Sequence, residues 1–306
     1  MVYGRRLFLV VLELCVFSAI LFFGGCASVG YDELIVCGGR EVLILELDDS
    51  IDAGYRKVWR WSAGGDKALP AEMKDLFGGT DDCKGSGDGK RILVTSSGGA
   101  VAVVERATVE SVFWAKCENA HSAEFLPGGR VAVMLSTGDK GNAVELYDVT
   151  MPMKCLWRDE IYSGHSVVWD RGRGLLWVLG YDELRSYGLV DWGTAEPKLA
   201  KKEEFELPGK GGHDLQAVPG GDELVLTTGR SVWLFDRDKG TFREHPELAG
   251  RRNVKSVTVH PVTGQTVYVE AEESWWAYNI RFLDPAGTIP FKDGRLYKAR
   301  WNASSD

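Results

Sequence analysis

One pattern recurs along this chain from Glu33 onward, and it limits the fold more than any other feature. An apolar run ends in small or polar residues. A second apolar run follows and usually closes on an apolar residue and an acid. The second runs end at Leu47-Asp48, Val104-Glu105, Tyr147-Asp148, Tyr187-Gly188, Phe235-Asp236 and Leu283-Asp284. Between the paired runs stand Gly38-Gly39, Gly98-Gly99, Gly138 to Asn142, Tyr181-Asp182, Gly229-Arg230 and a longer Glu272 to Trp276. Tight turns between antiparallel strands need positive φ, which Gly, Asn and Asp adopt most readily. A further strand precedes most pairs. Another follows, often carrying Trp, as in Val58-Trp59-Arg60-Trp61, Val112-Phe113-Trp114 and Cys155-Leu156-Trp157.

Four short strands in every ~40–50 residues are the mark of a propeller blade. Each blade has two apolar faces that only its neighbours can cover, and closing the ring leaves no exposed sheet edge. The expected fold is all-β: a single β-propeller over residues 33–302, with about six four-stranded blades and seven left open. The 37 Gly and 11 Trp fit its turns and interblade core. One short helical stretch is expected, at about Ala71 to Phe77, between the first and second blades. The first repeat starts too close to Cys26 to have an innermost strand before it. The strand-like run Arg295 to Trp301 is therefore expected to join the first and last blades, completing the last or lending a strand to the first.

The first 25 residues read as an address. Arg5 and Arg6 precede an apolar run from Leu7 to Phe23, as in export signals. Phe23-Gly24-Gly25-Cys26 resembles a bacterial lipobox, which implies lipidation of Cys26 after cleavage. An uncleaved anchor and ordinary secretion are the other readings. All three place the folded part outside the cytoplasm. The expectation is an exported, membrane-anchored lipoprotein, with residues 26–32 as a tether and the lipid as its only membrane contact. Cys37, Cys83, Cys117 and Cys155 remain, an even number in a compartment that permits disulfides. Their spacing matches no zinc motif. Cys37 and Cys155 fall in apolar runs and are expected to be buried thiols. A net charge of −8 with no long basic run excludes a nucleic-acid partner.

The candidate site comes from register. His121 lies six residues before Pro127, His165 six before Arg171, His213 six before Pro219 and Lys255 six before Pro261. Asp82 joins them when Ile92 is set against Val131. Residues in one register on innermost strands share one ring around the channel. Three imidazoles and a carboxylate there could hold a divalent metal, Zn²⁺ or Mn²⁺, on His121, His165 and His213. They could also act as a base or grip sugar hydroxyls. Trp275 and Trp276 occupy a turn, where paired indoles have no packing role, and Arg251-Arg252 lies near the same mouth. Both suit an acidic carbohydrate. His245 and His260 each precede a Pro and are expected to be exposed turn residues. No phosphate loop and no nucleophile elbow is present.

Gly164-His165 and Gly212-His213 resemble the Gly-His pairs of WD-repeat propellers. That resemblance implies that each His bonds a turn Asp, with Asp139 and Asp182 serving His121 and His165. The motifs His121 to Glu124, Gly164 to Asp170, Gly212 to Leu215, Glu273 to Trp276 and Leu296 to Trp301 resemble a family of secreted bacterial propellers without an assigned activity. More loosely, the His-lined mouth resembles that of oligogalacturonate lyases, which hold a metal with His side chains. Three functions remain open: a monomer binding carbohydrate or a protein partner at the channel mouth, a metal-dependent lyase or hydrolase of acidic oligosaccharides, and a structural scaffold.

Overall fold

Alternation along each strand sends successive side chains to opposite faces, and here those faces enter different cores. In the first strand Ile35 and Cys37 pack with Trp61, Phe77 and Cys83, while Leu34 and Val36 pack with Val267, Phe282 and Trp301. The same division repeats around the molecule. Six apolar clusters result, each lying between two neighbouring sheets. The computed structural model describes Met1 and residues 33–47 and 54–302. The export signal, Cys26 and the tether of residues 26–32 lie outside the described residues.

The 24 strands form six antiparallel sheets of four. Blade 1 contains β1 (Glu33–Gly38), β2 (Glu41–Leu47) and β3 (Tyr55–Ser62). Helix α1 (Ala71–Lys74) and a 3₁₀ turn (Asp75–Phe77) then bridge to blade 2, where that stretch was expected. Blade 2 holds β4 (Thr80–Gly85), β5 (Arg91–Ser96), β6 (Ala100–Glu105) and β7 (Glu110–Lys116). Blade 3 holds β8 (Ala120–Leu126), β9 (Arg130–Leu135), β10 (Ala143–Asp148) and β11 (Cys155–Glu160). Blade 4 holds β12 (Ser166–Asp170), β13 (Leu175–Leu179), β14 (Glu183–Val190) and β15 (Lys198–Glu206). Blade 5 holds β16 (Asp214–Ala217), β17 (Glu223–Thr227), β18 (Val232–Asp236) and β19 (Thr241–Glu244). Blade 6 holds β20 (Val254–Val259), β21 (Thr266–Glu270), β22 (Asn279–Leu283) and β23 (Gly287–Pro290). The last strand, β24 (Lys298–Trp301), returns to blade 1.

That return closes the ring. β24 pairs antiparallel with β1, from Leu34 opposite Trp301 to Cys37 opposite Lys298, so the tail supplies the innermost strand of blade 1. Gly38 permits the join, because a Cβ there would stand 2.2 Å from the Arg295 carbonyl oxygen. The six inner strands touch in one cycle, β24, β4, β8, β12, β16, β20 and back to β24. They line the axis and begin at one mouth, here the front, and end at the other, the rear.

Several local expectations are corrected. His245 and His260 are buried rather than exposed. His245 Nδ1 accepts the N–H groups of Glu247 and Leu248, and His260 Nδ1 those of Val262 and Thr263, so each imidazole caps its turn from within. His260 also packs edge-on against Trp301, at 4.7 Å between ring centres. Cys37, Cys83 and Cys117 are buried free thiols, but Cys155 is exposed because β11 is the outermost strand of its blade.

Candidate functional site

Each blade places one side chain on the front ring. In chain order these are Asp81, His121, His165, His213, Lys255 and Tyr297. His121, His165, His213 and Lys255 are therefore brought together as the register predicts. Asp82 is not among them. Gly85 pairs with Ile92 and Phe125 with Val131, so the β4–β5 turn is one residue longer than the β8–β9 turn. The extra residue moves Asp81 into the ring. Bulges between Thr80 and Asp82 and between Ala120 and Ser122 hold Asp81 and His121 in matching positions.

The ring is continuous. His121 Nε2 lies 3.9 Å from Asp81 Oδ1. The His121 and His165 ring centres are 4.5 Å apart, and those of His165 and His213 are 5.1 Å apart. Lys255 Nζ is 3.3 Å from His213 Nε2 and 6.0 Å from the Tyr297 ring centre. Outward from Tyr297 the series continues to Trp276 at 6.1 Å and from there to Trp275 at 6.2 Å. Arg295 lies over the Trp276 ring. Arg252 is exposed on the loop leading into β20, beside Arg251, which pairs with Glu270 at 3.0 Å. Among the described residues the exposed aromatics are Trp275, Tyr162 and Tyr181, at 56%, 57% and 37%. All three stand on front-face loops, and the two Tyr rings touch at 5.6 Å.

Neither His follows the WD-repeat arrangement. His121 Nδ1–H donates to the Asn119 carbonyl at 3.0 Å and His165 Nδ1–H to the Ser163 carbonyl at 2.8 Å. The turn residues Asp139 and Asp182 take no part. Burial, with His121 and His213 beside it, drives the His165 pKa well below its ordinary value. Burial and then Lys255 bring that of His213 down to about 3. Both imidazoles are neutral at pH 7. Burial and then Lys298 lower Lys255 to about 8, which leaves it mostly cationic at neutral pH. Burial also raises Asp81, against the pull of His121.

These protonation states decide what the ring can hold. Lys255 donates to His213 Nε2, so the neutral His213 carries its own proton on Nδ1. That atom is buried and has no hydrogen-bond partner among the described residues. His213 therefore has no free lone pair for a metal, and the imidazoles stand side by side rather than around one point. Among the described residues no group of three or more His, Cys, Asp or Glu side chains is placed to hold a metal ion.

The neutral histidines also predict a pH dependence. Unfolded, each titrates near 6.5, whereas the fold refuses the proton until far lower pH. The unfolded chain thus binds more protons below about pH 6.5, and stability falls as pH drops from there toward 3. The slope is about 1.4 kcal/mol per pH unit for each histidine. Burial lowers His245 as well, so urea melts between pH 7 and 4.5 should show a shallower but not a flat slope in His213→Gln. An unchanged slope would show that His213 is not held neutral.

The model of DUF6528, a family of unknown function, matches residues 44–305. The chain belongs to DUF6528. As the motifs implied, the family brings no reaction with it. No curated protein matches this DUF6528 chain. Among solved structures, a chain of a nidogen/laminin complex is similar, with a TM-score of 0.60 and 13% identity over 90% of this chain and 99% of that one. At that identity the likeness shows the propeller fold alone.

Sequence reasoning missed Asp81, Tyr297, Tyr162 and Tyr181. Tyr297 was within reach. Setting the tail run against the other inner strands would have placed it beside His121. The two Tyr residues carry no comparable signal, because each is a single residue in a loop.

Proposed function

We propose that this propeller is an exported, lipid-anchored monomer that binds an acidic carbohydrate at its front mouth. The observation that carries the reading is the front ring, one polar side chain from each blade, with Trp275 continuing it outward. Neutral His165, whose Nδ1 is bonded to Ser163, can accept a hydroxyl hydrogen bond at Nε2. Lys255, still cationic at pH 7, suits the carboxylate of a uronic acid. Trp275, Tyr162 and Tyr181 offer faces for sugar rings, a use that explains why these large aromatics remain in water, and Trp276 packs behind Trp275. Arg252 and Arg295 add positive charge on the same face of an acidic protein. The export signal and Cys26 put the domain where polysaccharide is met.

Calorimetric titration with galacturonate oligomers tests the ligand class, with neutral galactose oligomers as controls. Saturable binding is expected for the acidic series, weakened at least ~tenfold (about 1.4 kcal/mol) in Lys255→Ala and in Trp275→Ala. Equal binding by wild type and Lys255→Ala, or none by wild type, would overturn the reading. Metabolic labelling with a fatty-acid analogue tests the anchor separately, since Cys26→Ser should abolish incorporation.

A further inference from the structure

The rear mouth holds a second feature that the front site does not use. A cavity of about 420 Å³ opens there, between the ends of the inner strands. That volume is in the range of small-molecule sites, ~300–1,000 Å³. It is sealed from the front by charge. Asp82, Asp214, Lys298 and Arg300 fill the axis, all buried and mutually paired. A ligand at one mouth therefore cannot reach the other.

We propose that this cavity is an independent binding site for a small organic carboxylate with a ring body. The polar groups it presents without partners are donors. Gln216 Nε2 is buried with no hydrogen-bond partner among the described residues. Lys84 Nζ donates to Glu124 at 3.1 Å and to the Val167 carbonyl, which leaves one of its three N–H groups unassigned. Arg171 is exposed on the β12–β13 turn of blade 4. It extends toward blade 2, where its terminal nitrogen lies against Gly87.

The acidic groups of the wall are already engaged. Glu124 pairs with Lys84, and Asp170 with Arg237 at 2.7 Å and Arg173 at 3.5 Å. Donors with no remaining acceptor call for an acceptor-only group, which a carboxylate is. Trp169 and Phe125 in the same wall supply flat apolar faces for a ring. The occupant is thus separate in place from the front-mouth sugar.

The test uses benzoate, the isosteric but uncharged benzamide, and inorganic phosphate, titrated by calorimetry into the full chain. Benzoate should bind saturably, at least ~tenfold more tightly than benzamide or phosphate. Arg171→Ala and Gln216→Leu should each weaken benzoate by a similar factor, while Lys255→Ala leaves it unchanged. Arg171 is exposed, so its variant should fold as wild type does. No saturable benzoate binding would overturn the proposal. So would binding that Arg171→Ala and Gln216→Leu leave intact, or phosphate binding as tight as benzoate. Loss of benzoate binding in Lys255→Ala would also overturn it, by tying the site to the front mouth. Failure of the galacturonate titration alone would leave this result standing.

Discussion

A chain that stops before Arg295 should lose its cooperative unfolding transition. The missing piece carries β24, the only inner strand that blade 1 has, paired with β1 over four residue pairs. Without it β1 becomes an open edge facing the channel. Trp301 and Ala299 leave the cluster between blades 1 and 6. Losing a buried Trp costs about 3–5 kcal/mol. Lys298 and Arg300 leave at the same time, so Asp82 and Asp214 lose their ion-pair partners, a loss of about 3–5 kcal/mol or more. Together these approach or exceed the 5–15 kcal/mol that typically holds a whole domain folded. The blades form a ring, and a break at one joint exposes the apolar faces of two of them. Calorimetry and far-UV circular dichroism on the truncated chain would check this. A melt that stays sharp, at the temperature of the full chain, would mean that the ring does not depend on its closing strand.

The blade count was legible because hairpin turns leave a chemical trace. Gly, Asn and Asp hold most of the positive-φ positions, and apolar runs flank them whatever the fold's long-range order. The front ring was legible where the count could be made along one inner strand, without crossing a turn. His121, His165, His213 and Lys255 share their distance to a residue at the end of that strand. Asp82 was misplaced by one because its register was set on β9, and the β8–β9 turn is one residue shorter than the matching turns of blades 2, 4, 5 and 6. Since alternate residues point to opposite sides of a strand, that single step exchanged a ring residue for an axis residue. Tyr297 escaped for another reason. The expectation for the tail left two docking places open, and only the pairing with β1 sets its register. Contacts between distant segments leave no local pattern at all. Asp82 and Arg300 are 218 residues apart, and neither position announces the other.

That pair carries the other large effect. Arg300→Met should cost about 3–5 kcal/mol at pH 7, the usual loss when one partner of a buried ion pair is removed. Arg300 Nε donates to Asp82 Oδ1 at 2.6 Å, and its Nη2 to Asp214 Oδ1 at 2.6 Å. Lys298 reaches Asp214 at 3.0 Å and Asp82 only at 3.8 Å, so it cannot replace both contacts. Burial pushes both carboxyls up, but Arg300 and Lys298 outweigh it and hold each below its ordinary value. Wild-type carboxylates therefore bind protons less readily folded than unfolded. Their contribution is present in full above about pH 4 and is lost as pH falls from there toward the folded-state values. In the variant the sign reverses. With Arg300 gone, burial dominates and both carboxyls are expected to rise above their unfolded values. Acid then neutralises the groups that destabilise the variant. The gap between wild type and Arg300→Met should accordingly narrow between pH 7 and pH 4. Adding Asp214→Asn to Arg300→Met should recover part of the loss at pH 7, because it removes one uncompensated charge. Urea unfolding of the three proteins across that pH range measures all of this. A gap that stays constant with pH would show that packing of the Arg300 side chain, rather than its charge, holds the axis together.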